Sequence, residues 1–181
     1  MPLTLQSTLN IQEKEKLTDL FINFVREIGI PVADQGEVPV AFLPGVRIDM
    51  GGLTIDRNRL LHPGDILHEA GHLATMPYHI RRTMDGDLPD TDLHRGGELM
   101  TLAWSYAACL HLQVPPAVVF HEDGYKGGHQ QLIESFEAGQ YIGLPMLQFH
   151  GMAYDEKQAA SLQVLPFPHM VNWLCLQEEG A

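Results

Sequence analysis

The stretch Asp65-Ile66-Leu67-His68-Glu69-Ala70-Gly71-His72-Leu73-Ala74 decides how the rest of the chain is read. Ile66, Leu67, Ala70, Leu73 and Ala74 recur at the three-and-four spacing of one helical face. Pro63 suits a first helical position, Asp65 falls in the first turn where a carboxylate is favoured by the helix dipole, and Pro77 stops the run. A helix is therefore expected from about Pro63 to Met76. Four residues apart on that helix, His68 and His72 lie one turn above another and can converge on one ion at about 2.0–2.1 Å. Glu69 is turned too far to chelate with them, yet is near enough to reach a water on the ion. Zinc lowers the pKa of such a water toward about 7, and the carboxylate can take its proton.

Upstream, Leu17, Leu20, Phe21, Phe24, Val25 and Ile28 mark the apolar face of a helix over residues 11–29, closed by Gly29 and Pro31. Sheet structure is expected over about 38–56. Val38 to Leu43 reads as extended, and the alternation in 46–56 reads as two strands about a Gly51-Gly52 turn. Pairing Met50 with Leu53 and Ile48 with Ile55 would put those four side chains on one buried face.

Downstream, residues 77–97 form a polar segment longer than loops that only connect, and it reads as a solvated loop or lid. Its aspartates from Asp85 to Asp92 do not make a calcium loop, because Pro89 occupies the third ligand place and no Glu closes it. A second helix is expected over about 98–112, with Leu99, Leu102, Ala103, Tyr106 and Leu110 inward. The region 115–177 alternates Gly- and Pro-rich turns with short helical pieces at Ala117–His121, His129–Ala138 and Met170–Leu176. The apolar run Val164 to Leu176 is expected to close the core. These elements predict one α+β domain over residues 1–181, mainly helical, with a small sheet beside the histidine helix.

The 181 residues, 45% of them hydrophobic, suffice for an ordinary core. Eleven Lys+Arg against 23 Asp+Glu give a net charge of −12. That balance argues against nucleic acid and against an anionic membrane surface, both of which need a basic patch. Residues 99–121 carry no charge, but Ser105, His111, Gln113 and Pro115-Pro116 interrupt them well short of a membrane span. Cys109 and Cys175 cannot build a disulfide framework, and the first sixteen residues lack the pattern of a secretory signal, so a reduced, cytoplasmic setting is expected. Ten histidines in so short a chain are an excess that asks for an explanation.

His68-Glu69-Ala70-Gly71-His72 is the HExxH string of the zincin metallopeptidases, and a later Glu on a second apolar helix resembles the gluzincin layout. More narrowly, Leu53-Thr54-Ile55-Asp56 leading into Asp65–Leu73, with Glu98 followed by Ala103, Tyr106 and Ala107, looks like the small ImmA/IrrE-type metallopeptidases. The similarity covers roughly residues 46–112. It implies a helical domain with a short sheet, zinc as cofactor, His68 and His72 as ligands, Glu69 as general base and Glu98 as third ligand. A catalytic zinc takes three protein ligands and leaves a fourth place to water. Glu98 also suits that role by itself, since a lone carboxylate on an uncharged, inward-facing helix is costly without a cation. Glu98 as a plain helix-start carboxylate, or His94 or Asp92 as the third ligand, are the alternatives.

Departures from neighbouring patterns are informative. A metzincin would continue with Gly at 75 and His at 78, where this chain has Thr75 and Tyr78. The thermolysin-type acidic residue four after the third ligand is replaced by Leu102, so ligand orientation must come from elsewhere, with Asp65 as one candidate. Donors that could stabilise a transition state are Tyr78, His79, His94, Tyr106, His121 and Tyr125. The glycine-flanked segment His121–His129 lacks the spacing of a phosphate loop and reads as a flexible surface turn, and His62, His111, His150 and His169 as core or surface residues. The expectation is a zinc-dependent hydrolase cutting a peptide or protein, with a non-catalytic, metal-stabilised binding or regulatory module as the alternative.

Overall fold

Eleven residues from Gly64 to Ala74 form the helix around which the other elements are arranged, and Ile66, Leu67, Ala70, Leu73 and Ala74 are all fully buried, as the spacing requires. Each large side chain so removed from water contributes about 1.5–3 kcal/mol. The computed structural model describes residues 10–39, 43–86 and 92–177, residues 92–95 by their backbone alone. In chain order the elements are α1 (Ile11–Glu27), β1 (Val32–Asp34), β2 (Val46–Asp49), β3 (Gly52–Ile55), α2 (Gly64–Ala74), α3 (Tyr78–Arg81), α4 (Asp92–His111), a 3-10 turn at Pro116–Val118, α5 (His129–Glu137), α6 (Leu144–Phe149) and α7 (Glu156–Leu162). This is an α+β domain in which α2 packs on α4, on α1 and on the sheet.

The N-terminal helix ends two residues earlier than expected, and Asn10 and Glu13 cap its start reciprocally, each side chain accepting from the other's backbone N–H. Its buried face is Thr18, Phe21, Ile22, Phe24 and Val25, while Leu20 is partly exposed.

The sheet runs β1-β3-β2, with β1 parallel and β2 antiparallel to β3. The hairpin exists, but its turn lies one residue earlier than the spacing suggested. Ile48 faces Leu53 and Val46 faces Ile55, and Met50 with Gly51 forms the turn at φ 44° and 81°. Two consecutive positive φ values belong to a two-residue turn whose twist matches the strands. Met50 is consequently exposed rather than buried. Residues 40–42 of the expected extended segment lie outside the described residues. The third strand is β1, which lies upstream of the 38–56 region where sheet structure is expected.

Helix α4 begins at Asp92, six residues before the expected start, and carries Gly96 and Gly97 inside it. Two adjacent glycines read as a turn, but Gly97 lies against the end of the Met76 side chain and the packing there outweighs the helical penalty. From Met100 to Cys109 α4 is buried on every side, whereas Leu99 and Leu110, expected inward, are partly exposed. Phe24 of α1 meets Trp104, whose indole N–H donates to the Trp173 carbonyl at 3.0 Å.

The C-terminal run closes the core as expected, with Phe167, Met170 and Cys175 buried and the Cys175 N–H donating to the Ala74 carbonyl at 2.8 Å. It does so as an irregular strap rather than as the helix expected over Met170–Leu176. Helix α3 lies inside the segment read as a loop, and α6 and α7 have no counterpart among the expected elements, while α5 falls where the periodicity puts it. No helix among the described residues is long and apolar enough to cross a membrane.

Candidate metal centre

Helices α2 and α4 are in close contact at Gly71, where an added Cβ would lie 2.9 Å from Thr101 Cγ2 and 3.2 Å from the Trp104 ring. The absence of a side chain there lets Thr101 reach the α2 face that carries the histidines. Glu98 precedes Thr101 by three residues and so projects from the same side of α4.

The consequence is convergence. His68 Nε2 and His72 Nε2 are 3.1 Å apart, Glu98 Oε2 is 3.1 Å from His72 Nε2, and Glu98 Oε1 is 3.7 Å from His68 Nε2. A tetrahedral ion with bonds of about 2.0–2.2 Å separates its ligand atoms by roughly 3.3–3.6 Å. The three observed distances, two of them to different oxygens of Glu98, lie close to that range, so these residues could hold one metal ion. A cation would also suit this half-buried position, where two imidazole nitrogens and a carboxylate meet. The side chains of His68 and His72 are 14% and 8% exposed, whereas Glu98 at 42% marks the open side.

Glu98 is thus the third candidate ligand that the structure brings to the pair. It lies within α4, two turns from the start, so the plain helix-start reading does not describe it. Of the two alternatives, Asp92 and His94 sit in the first turn of α4 and their side chains lie outside the described residues, as does most of the acidic run to Asp92.

Both imidazoles are held from behind. His72 Nδ1 is 3.2 Å from Thr101 Oγ1, and His68 Nδ1 is 3.2 Å from the Tyr125 hydroxyl oxygen. Were an ion held at the two Nε2 atoms, each Nδ1–H would donate to its hydroxyl, the arrangement that fixes tautomer and ring orientation at metal sites. Tyr125 reaches this place because the chain after the 3-10 turn lies directly on the start of α2. An added Cβ at Gly64 would come within 2.0 Å of the Val118 carbonyl oxygen.

Burial, and secondarily the neighbouring His72, pushes the His68 imidazole down to about 4, which keeps it neutral and able to ligate near pH 7. Burial pushes the Glu98 carboxyl up, but the hydrogen bond to His72 and the charges of both imidazoles leave it below its ordinary value. Burial also raises Tyr125, so its phenol stays protonated.

Glu69, the candidate base, is half-buried next to His68. The other expected roles need correction. Asp65 is buried and accepts from His121 Nε2 at 2.8 Å, so it orients His121 and not a member of the His68/His72/Glu98 set. Tyr125 sits on the Nδ1 side of His68, away from the ligating edge, and positions that ring instead of facing a substrate. Tyr106 is a core residue stacked on Phe136 at 4.7 Å, and Tyr78 is exposed beneath the Arg81 guanidinium. Thr101 was missed, although its place three residues after Glu98 is the signal that could have found it. The surface-turn reading of His121–His129 was wrong for His121 and Tyr125, which pack against α2. No family model, curated protein or solved structure matches this chain, so the reading of the site rests on its own residues.

Proposed function

We propose that the chain is a zinc-dependent hydrolase that cleaves an amide bond in a peptide or protein, with His68, His72 and Glu98 as the ligands and Glu69 as the general base. The observation that carries this reading is the convergence of two ring nitrogens and a carboxylate at 3.1–3.7 Å, open on the Glu98 side, with Glu69 next to His68 in the chain. Zinc is the natural choice for two imidazoles and one carboxylate, and when bound it supplies Lewis acidity and a water acidic enough to react near neutral pH. The chain's own residues do the remainder. His68 stays neutral through burial, Thr101 and Tyr125 hold the two rings in their ligating orientation, and Glu69 takes the proton of the attacking water and returns it to the leaving nitrogen. The net charge of −12 favours neutral or cationic peptides over acidic ones. A reducing, cytoplasmic compartment fits Cys109 and Cys175, both free and buried.

The test is Glu69→Gln. The variant should keep its zinc and lose about 10²–10⁴-fold in hydrolysis of an unfolded protein or a peptide library. Unchanged hydrolysis with zinc retained would remove Glu69 from the mechanism. A zinc-loaded wild type that cuts no amide would favour the non-catalytic, metal-stabilised module.

A further inference from the structure

A second cluster of ligating side chains lies at the other end of α2. His62 precedes the helix, and His121 and Asp123 follow the 3-10 turn. The turn closed by the Gly124 N–H donating to the His121 carbonyl at 3.2 Å folds Asp123 back over the start of α2. His62 Nε2 is then 3.0 Å from Asp123 Oδ2, and the His62 and His121 rings are stacked at 3.8 Å with 12° between their planes. One ring nitrogen from each histidine and one Asp123 oxygen lie within 4.8 Å of one another.

Hydrogen bonding by itself leaves this cluster incomplete. His121 Nε2 is committed to Asp65 at 2.8 Å, which makes Nε2 the protonated nitrogen and leaves the lone pair on Nδ1. That Nδ1 is buried and has no hydrogen-bond partner among the described residues. A buried acceptor without a partner is destabilising, because it has given up its hydrogen bonds to water for nothing. An imidazole whose far nitrogen donates to a buried carboxylate while its near nitrogen presents a lone pair is the oriented form that metal sites use.

We propose that His62, His121 and Asp123 bind a second divalent transition-metal ion of the zinc class, with Asp65 orienting His121. Two imidazoles and a carboxylate suit zinc in preference to calcium or magnesium, which take oxygen ligands. The 4.8 Å limit is wider than a tetrahedral edge and the two ring planes are nearly parallel, so binding requires the His62 ring to turn out of the stack until its lone pair meets that of His121 Nδ1 at one point. Asp123, whose side chain is 77% exposed, is free to make that movement, and the solvent side leaves the remaining positions to water. None of the three residues belongs to the His68/His72/Glu98 set, so the inference stands apart from the proposed hydrolysis.

The experiment is zinc titration of the chelator-stripped full chain, with bound metal counted after free metal is removed. Wild type should hold two equivalents, His62→Gln and Asp123→Asn one each, and His68→Gln should keep the equivalent that those two variants lose. Every wild-type equivalent surviving in both His62→Gln and Asp123→Asn, or the equivalent lost in those variants appearing only at millimolar zinc, would overturn the proposal. Asp123 is mostly exposed, so Asp123→Asn gives a reading even if His62→Gln disturbs folding. A single wild-type equivalent that is lost in His68→Gln would reject this second ion and leave the first site standing.

Discussion

His68 and His72 stand one turn apart on a single buried helix, and their nitrogens meet at 3.1 Å because helical geometry places them there. His62 and His121 also touch, ring on ring at 3.8 Å, but they come from separate irregular segments brought together by the close approach of Val118 to Gly64. The first pair is held before any ion arrives, with a hydroxyl behind each ring. The second pair has one ring held by Asp65 and the other tied to a mostly exposed aspartate. Preorganisation differs accordingly, and the pair on rigid elements should bind more tightly, since less ordering is left to binding.

The largest effect expected from breaking this contrast is at Glu98, the candidate ligand of the first site that is not on α2. Glu98→Ala should weaken zinc there on the order of 1000-fold, about 4 kcal/mol of the roughly 10–16 available to a closed zinc site. Calorimetric titration should show the weaker second-site binding unchanged. Equal loss at both sites would mean that they are one energetic unit.

Next in size is a pH effect confined to the rigid pair. His68 takes a proton near 4 in the folded chain and near 6.5 when unfolded, so between those values the unfolded state binds more protons. The metal-free protein should therefore lose stability as pH falls from about 6.5 to about 4, by about 3 kcal/mol in total. His68→Leu should flatten that part of a denaturation-versus-pH profile. Parallel profiles for variant and wild type would count against burial as the cause.

Smaller effects belong to the two hydroxyls. Thr101→Val should reduce first-site zinc affinity about 10–100-fold while keeping the side-chain shape, and Tyr125→Phe should fall at the low end of that range. If neither moves the affinity, the rings are held by helix geometry alone.

The contrast also explains what was legible in the sequence. Helical spacing is local, so α2, its buried face and the His68/Glu69/His72 triplet could be read directly, and Glu98 was accessible as an isolated carboxylate on an apolar helix. Thr101, Tyr125 and the His62/His121 stack depend on which segments meet, and that follows from contacts at Gly71 and Gly64 that no periodicity encodes. The same limit accounts for the hairpin, where a one-residue shift of the turn moved Met50 from the core to the surface. It also accounts for α4, where tertiary packing carried the helix through two glycines.

The most direct test of the central claim is the coordination sphere of the zinc-loaded wild type, read by anomalous diffraction at the zinc edge. The account predicts an ion bound by His68 Nε2, His72 Nε2 and a Glu98 oxygen, with a fourth position held by water. An ion at these residues closed by a fourth protein ligand, or no ion between His68, His72 and Glu98, would contradict it.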